Sequence, residues 1–192
     1  ITFDDAQEAY TARYNNETIA LAFSITEEAI EDNLYDRLAS RYTKALARSM
    51  AHTKQVKGAT ILNDAFTATI TGGDGVSLVN TSHPLVTGST FANRPVTAAD
   101  LNETSLENAL IDIGGYVDER GLKVSVQGTK LIVPSNLQFV ADRLLESTLR
   151  PGTADNDVNA TRNMGMLPQG YTVNHFLNDA NAWFVKTDAP RG

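Results

Sequence analysis

The side chains best suited to proton transfer in this 192-residue chain are three histidines, His52, His83 and His175, and a set of carboxylates. None of the histidines belongs to an HExxH pair, and no GxSxG serine accompanies them. Each has a plain reading too: His52 on a helix surface, His83 in a turn before Pro84, His175 in a strand. Glu27, Glu28, Glu31 and Asp32 stand close enough to pair as general acid and base, but acids in the first turns of a helix are also what its positive dipole end favours. Gly72-Gly73-Asp74-Gly75 has the glycines of a phosphate loop without the following Lys-Ser or Lys-Thr. Asp155-Asn156-Asp157-Val158-Asn159 opens like a calcium loop, yet the sixth position is Ala160 instead of Gly and Met166 stands at the twelfth. Trp183 and Phe184 are equally a ligand platform or part of a hairpin core. No catalytic, metal or cofactor-binding residue and no cofactor is expected from these motifs, and a structural role is expected instead of an enzymatic one.

Composition narrows the classes. Apolar content of 42% and charged content of 20% suit a folded chain. A net charge of −7 argues against a surface built to neutralise phosphates, though not against a shell that only encloses nucleic acid. There is no cysteine, so disulfides, thiolate zinc sites and cysteine nucleophiles are excluded together. No stretch approaches the roughly 20 apolar residues of a membrane helix, and the start has neither a basic nor an apolar leader region. The sequence reads as soluble and unexported. The missing initiator Met suggests a processed product or a segment of a longer chain.

The elements that would position these residues can be read from periodicity. Ile19, Leu21, Phe23 and Ile25 alternate as in a strand, and the polar stretch before them, with Asn15-Asn16, completes an extended hairpin. A capping box of Ser24 with Glu27, or a cap at Thr26, opens a helix carrying Ile30, Leu34, Leu38, Tyr42, Leu46 and Val56 on one face. From Thr26 to Val56 this helix would run about 45 Å at about 1.5 Å per residue, and it is expected to continue towards Phe66 with a disturbance at Gly58. A glycine-rich break at 71–75 and a loop to Pro95 follow. Thr104 and Glu107 suggest a second capping box, for a helix with Leu106, Leu110, Ile113 and Val117 inward, weakened at Gly114-Gly115 and stopped at Gly121. Strands are expected at 123–126 and 130–133, a third helix from Pro134 to Arg150, a polar loop to Gly170, and a hairpin of 171–177 with 182–186. The class is α+β.

Charge is divided unevenly. Residues 1–36 hold nine acids and one Arg, whereas Arg37 to Lys57 holds six cations and no acid. The plain account is macrodipole matching; the sharper one is an acidic hairpin docking on a basic surface of a neighbouring subunit.

Taken in order, the hairpin, Phe23-Ser24-Ile25-Thr26-Glu27-Glu28, Glu31-Asp32-Asn33-Leu34-Tyr35, the long helix, Leu62-Asn63-Asp64-Ala65-Phe66, Gly73-Asp74-Gly75 and Ser82-His83-Pro84 resemble the major capsid proteins of tailed phages, the Hong Kong 97-like fold. Asp118-Glu119-Arg120-Gly121-Leu122, Lys130-Leu131-Ile132-Val133-Pro134, Asp155-Asn156-Asp157-Val158-Asn159 and Asn181-Ala182-Trp183-Phe184 extend the match over nearly the whole chain. The resemblance implies an extended hairpin loop at 1–25, a peripheral domain with the spine helix at 26–100 and an axial domain at 101–192. The loop at 152–165 would face the capsomer centre. It further implies a subunit that self-assembles through hexamers and pentamers into an icosahedral virion shell around double-stranded DNA, bound without sequence specificity and without a membrane. Assembly would occur in the host cytoplasm, with decoration, scaffold and portal proteins as further partners. The family's N-terminal arm and closing strand have no counterpart in these residues, and no motif carries over its intersubunit crosslinks. Two rival readings are an encapsulin-like cargo shell and a hydrolase built in space around His83 or His175.

Overall fold

The computed structural model describes residues 10–13, 15–32, 35–150 and 157–189, with 35–37 described by backbone alone. Helices and strands are mixed, and the class is α+β. The chain divides into two compact units, Arg13–Leu62 and a larger one built from Asn63 onward with the chain around Thr11.

In the smaller unit, residues 15–26 make no strand ladder, so the expected strand at 19–25 is not formed, and most of the other expected hairpin arm lies outside the described residues. Phe23 instead lies against Tyr42 of the long helix that follows, with ring centroids 5.6 Å apart. Further along the same flank, Lys57 Nζ meets Glu17 Oε2 at 2.8 Å. Helix α1 (Glu27–Glu31) is separate from α2 (Tyr35–Asn63), which corrects the expectation of one helix from Thr26. Thr26 is the N-cap of α1 but its side chain accepts no capping bond, and Ser24 plays no part in a box. Asp32, a weak helix former, stands at the C-cap of α1 and ends the run before the Ala- and Leu-rich stretch of α2. Gly58 lies within uninterrupted helix, and a Cβ there would meet nothing within 4 Å. Twenty-nine residues of α-helix tolerate one glycine because propagation costs far less than nucleation.

The larger unit begins at the end of α2. Asn63 Nδ2 donates to the Phe176 carbonyl (3.0 Å) and its Oδ1 accepts from the Asn178 amide (2.9 Å), so the side chain that closes the helix also pins a later loop. A short ribbon of β1 (His83–Pro84) and β2 (Thr90–Phe91) follows. Helix α3 (Glu103–Ile113) is opened by a reciprocal box of Asn102 with Ser105, not Thr104 with Glu107. It ends at Gly114, and Gly121, with φ of +82°, belongs instead to the turn after Asp118.

A three-stranded sheet completes the unit, with β3 (Gly128–Val133) between β4 (Tyr171–Val173), parallel, and β5 (Phe184–Thr187), antiparallel. The expected hairpin of 171–177 with 182–186 is therefore not formed, and 123–126 contributes only the isolated Val117–Lys123 bridge. The central place goes to Leu131-Ile132-Val133, the run best able to be covered on both faces. A single-turn 3₁₀ segment at Ser135–Leu137 leads into α4 (Gln138–Glu146), and the polar loop beyond contains a short helix, α5 (Ala160–Asn163). Leu106, Leu110, Ile113, Leu131, Val133, Ala141, Leu144 and Leu145 share one core with Leu101, Val126 and Leu167. Gly128 sits where a Cβ would lie 2.7 Å from Leu110 Cδ2 and 3.0 Å from Val185 Cγ1, so any larger residue would require these core side chains to shift.

Candidate functional site

The histidines are held by separate parts of the larger unit or by α2. His83 Nδ1 lies 2.5 Å from Asp74 Oδ2, both side chains mostly covered, while its Nε2 is buried with no hydrogen-bond partner. An imidazole so enclosed has its carboxylate orienter but, among the described residues, no nucleophile within hydrogen-bond reach. His175 Nδ1 stands 2.9 Å from Ser135 Oγ at an exposed position, and no described carboxylate pairs with that ring. The Asp–His and Ser–His contacts thus involve different histidines, and neither is a triad. His52 lies on the exposed surface of α2.

Gly72-Gly73-Asp74-Gly75 forms a tight turn, closed by Gly72 N–H to the Val76 carbonyl at 2.8 Å, with Gly75 at φ +81°. No helix follows it, so its amides do not converge on an anion site. Gly73 has a packing reason: a Cβ there would lie 2.8 Å from the Thr11 carbonyl oxygen.

The calcium-like run has another use. Asp155 and Asn156 fall outside the described residues, but Asn159 is 2% exposed and its amide donates to the carbonyls of Leu144 (2.8 Å) and Ser147 (3.1 Å). Its Oδ1 accepts from the Arg162 amide at 3.3 Å. One side chain therefore closes the C-terminus of α4 and opens α5, and its oxygen is not free to ligate. Arg162 adds hydrogen bonds to the Glu146 carbonyl and to Thr148 Oγ1. The sequence signal was present as an Asn just before a short helical stretch, but it was masked by the metal-like spacing. Among the described residues there is no cluster of three potential metal ligands.

Trp183 packs against the core with its indole N–H on the Ala99 carbonyl at 3.0 Å, and Phe184 stacks on Phe66 at 5.8 Å. Both are structural. Phe91 meets Tyr116 edge-on at 4.9 Å, and burial, then the nearby Asp112, pushes the Tyr116 phenol above its usual range. Arg150 bonds Glu103 at 2.8 Å, and that hydrogen bond further raises an already high guanidinium value.

What the molecule does offer is exposed apolar surface. Within residues 13–62 the only buried described side chain is Ala59, while Leu21, Ile30, Tyr42 and Ile61 are exposed by 53%, 53%, 47% and 65%. A helix as long as α2 with this little burial has not satisfied its apolar face within the subunit. Ile19, Met50 and the stem of Lys54 line a shallow apolar trough on it. The larger unit also exposes Ile111, Phe139, Val158 and Met164, each by more than 60%.

A folded α+β body joined to an under-buried helical unit leaves apolar side chains open to contact with other chains. Residues 9–191 match a family model described as phage capsid protein, and the chain belongs to that family. No curated protein and no solved structure matches it significantly. Membership points to a structural, non-enzymatic component of the viral capsid.

Proposed function

We propose that this chain is the major capsid (head) protein of a tailed phage with a Hong Kong 97-like fold. It self-assembles into hexameric and pentameric capsomers of an icosahedral shell around double-stranded DNA. The observation that carries the reading is the state of residues 13–62: a helical unit with one buried described side chain and several large exposed apolar ones, in a chain of the phage capsid family. Such a unit gains its burial from neighbouring copies, at interfaces whose centres are apolar and whose rims are polar.

In this reading α2 is the spine of a peripheral domain spanning 26–100, the extended chain of 1–25 reaches a neighbour, and 101–192 forms the axial domain with the loop at 152–165 near the capsomer centre. The net charge of −7 suits a wall that confines DNA without gripping it. Scaffold, portal and decoration proteins would be further partners, and assembly would occur in the host cytoplasm.

Electron microscopy of the expressed protein tests the reading. Closed particles of uniform diameter are expected, and deletion of residues 1–20 should leave a folded subunit that does not close shells. A protein that stays monomeric at high concentration would contradict the proposal.

A further inference from the structure

The cations of α2 are not distributed at random around the helix. At about 100° per residue, Arg41, Lys44 and Arg48 fall within an arc of about 60°, spaced about 4.5 and 6 Å along the axis. All three are exposed, and among the described residues they make no ion pair or hydrogen bond. They lie on the flank away from Tyr42 and Lys57, the positions that Phe23 and Glu17 cover. Among the described residues, the chain of 15–26 therefore leaves this stripe open.

The same chain carries a matching surface. On α1 the side chains of Glu27, Glu28, Glu31 and Asp32 are exposed and likewise unpaired. They fall within an arc of about 140°, and the pairs Glu27/Glu31 and Glu28/Asp32 repeat about every 6 Å, close to the spacing of the stripe. Three cations and four acids thus sit on two helical faces of one chain, and among the described residues neither face is neutralised.

We propose that the acidic face of α1 in one copy docks on the Arg41/Lys44/Arg48 stripe of α2 in the next, a head-to-tail contact that repeats around a closed ring of subunits. The inference rests on the reading of the chain as a self-assembling shell protein and names one contact in that assembly. Charge complementarity selects a second copy over nucleic acid as the occupant: the stripe holds three cations in a chain of net charge −7, and its complement is present in equal copy number. Head-to-tail pairing also uses both faces of every subunit, as a ring requires. Because the groups are exposed, the contact weakens as salt shortens the screening length to below about 8 Å.

The test uses two full-length variants. One carries Arg41→Glu, Lys44→Glu and Arg48→Glu; the other carries Glu27→Lys, Glu28→Lys, Glu31→Lys and Asp32→Lys. Each alone should give at least about tenfold fewer assembled particles by sedimentation, since like charges then face each other. An equimolar mixture should restore six-membered rings by sedimentation, because the two variants can alternate around an even ring and every contact is then again opposite in charge. Recovery in the mixture also shows that both variants fold. Normal assembly of either variant alone would overturn the proposal, as would a mixture that stays unassembled. Loss of binding to a 30-base-pair duplex by the first variant, with shells unaffected, would assign the stripe to nucleic acid instead. Wild-type protein that forms no particles would refute the shell reading itself, a result distinct from any of these.

Discussion

Strand β3 and helix α2 meet the demand for burial in opposite ways. In β3, Gly128, Leu131 and Val133 are buried within six residues, and α3, α4, β4 and β5 supply the cover from the same chain. In α2, 29 residues of regular helix bury only Ala59 among the described side chains of 38–62. The strand belongs to a core that the subunit completes alone. The helix has backbone hydrogen bonds and a polar surface, but its apolar side chains wait for another surface. Local regularity and tertiary burial are thus separable in this molecule, and on the proposed function the division separates the subunit's own core from a surface used in assembly.

The contrast breaks first at the side chains that should differ most. Leu131→Ala, at a fully buried position, should cost about 2–5 kcal/mol in urea denaturation of the dissociated subunit. Ile61→Ser on α2 should change that stability by no more than about 0.5 kcal/mol while lowering particle yield. Equal losses from both would erase the distinction. Next in size, Asn159→Ala should cost about 1–3 kcal/mol, because it strands the Leu144 and Ser147 carbonyls at the end of α4. Thermal unfolding would register it as a lower midpoint. The smallest effect sharpens the view of α2 as helix first and packing second. Gly58→Ala, in open space within the helix, should raise helix stability by about 0.5–1 kcal/mol, read by circular dichroism on the dissociated subunit.

Legibility in the sequence follows the same division. The core helices were readable because Leu106, Leu110 and Ile113, and Ala141, Leu144 and Leu145, carry the inward period that the structure buries. The continuation of α2 past Gly58 was readable from its apolar period, but its burial was not: a 3.6-residue period reports an apolar face, not whether the covering surface lies in the same chain. The break before Tyr35 was missed because the period of Ile30, Leu34 and Leu38 runs straight across it. Strand order was also out of reach. Asn178-Asp179-Ala180-Asn181 reads as a hairpin turn, yet the connection from β4 to β5 passes beyond β3, whose two-sided burial is a long-range fact. Asn159 shows the complementary failure, since a cap and a metal ligand use the same side-chain oxygen and spacing alone does not separate them.

Amide hydrogen exchange on the dissociated subunit and on the assembled particle tests the central claim most directly. The account predicts that amides of β3 are protected to similar degrees in both states, while those of α2 exchange readily in the subunit and slow at least about tenfold on assembly. Protection of α2 in the isolated subunit equal to that in the particle would contradict it.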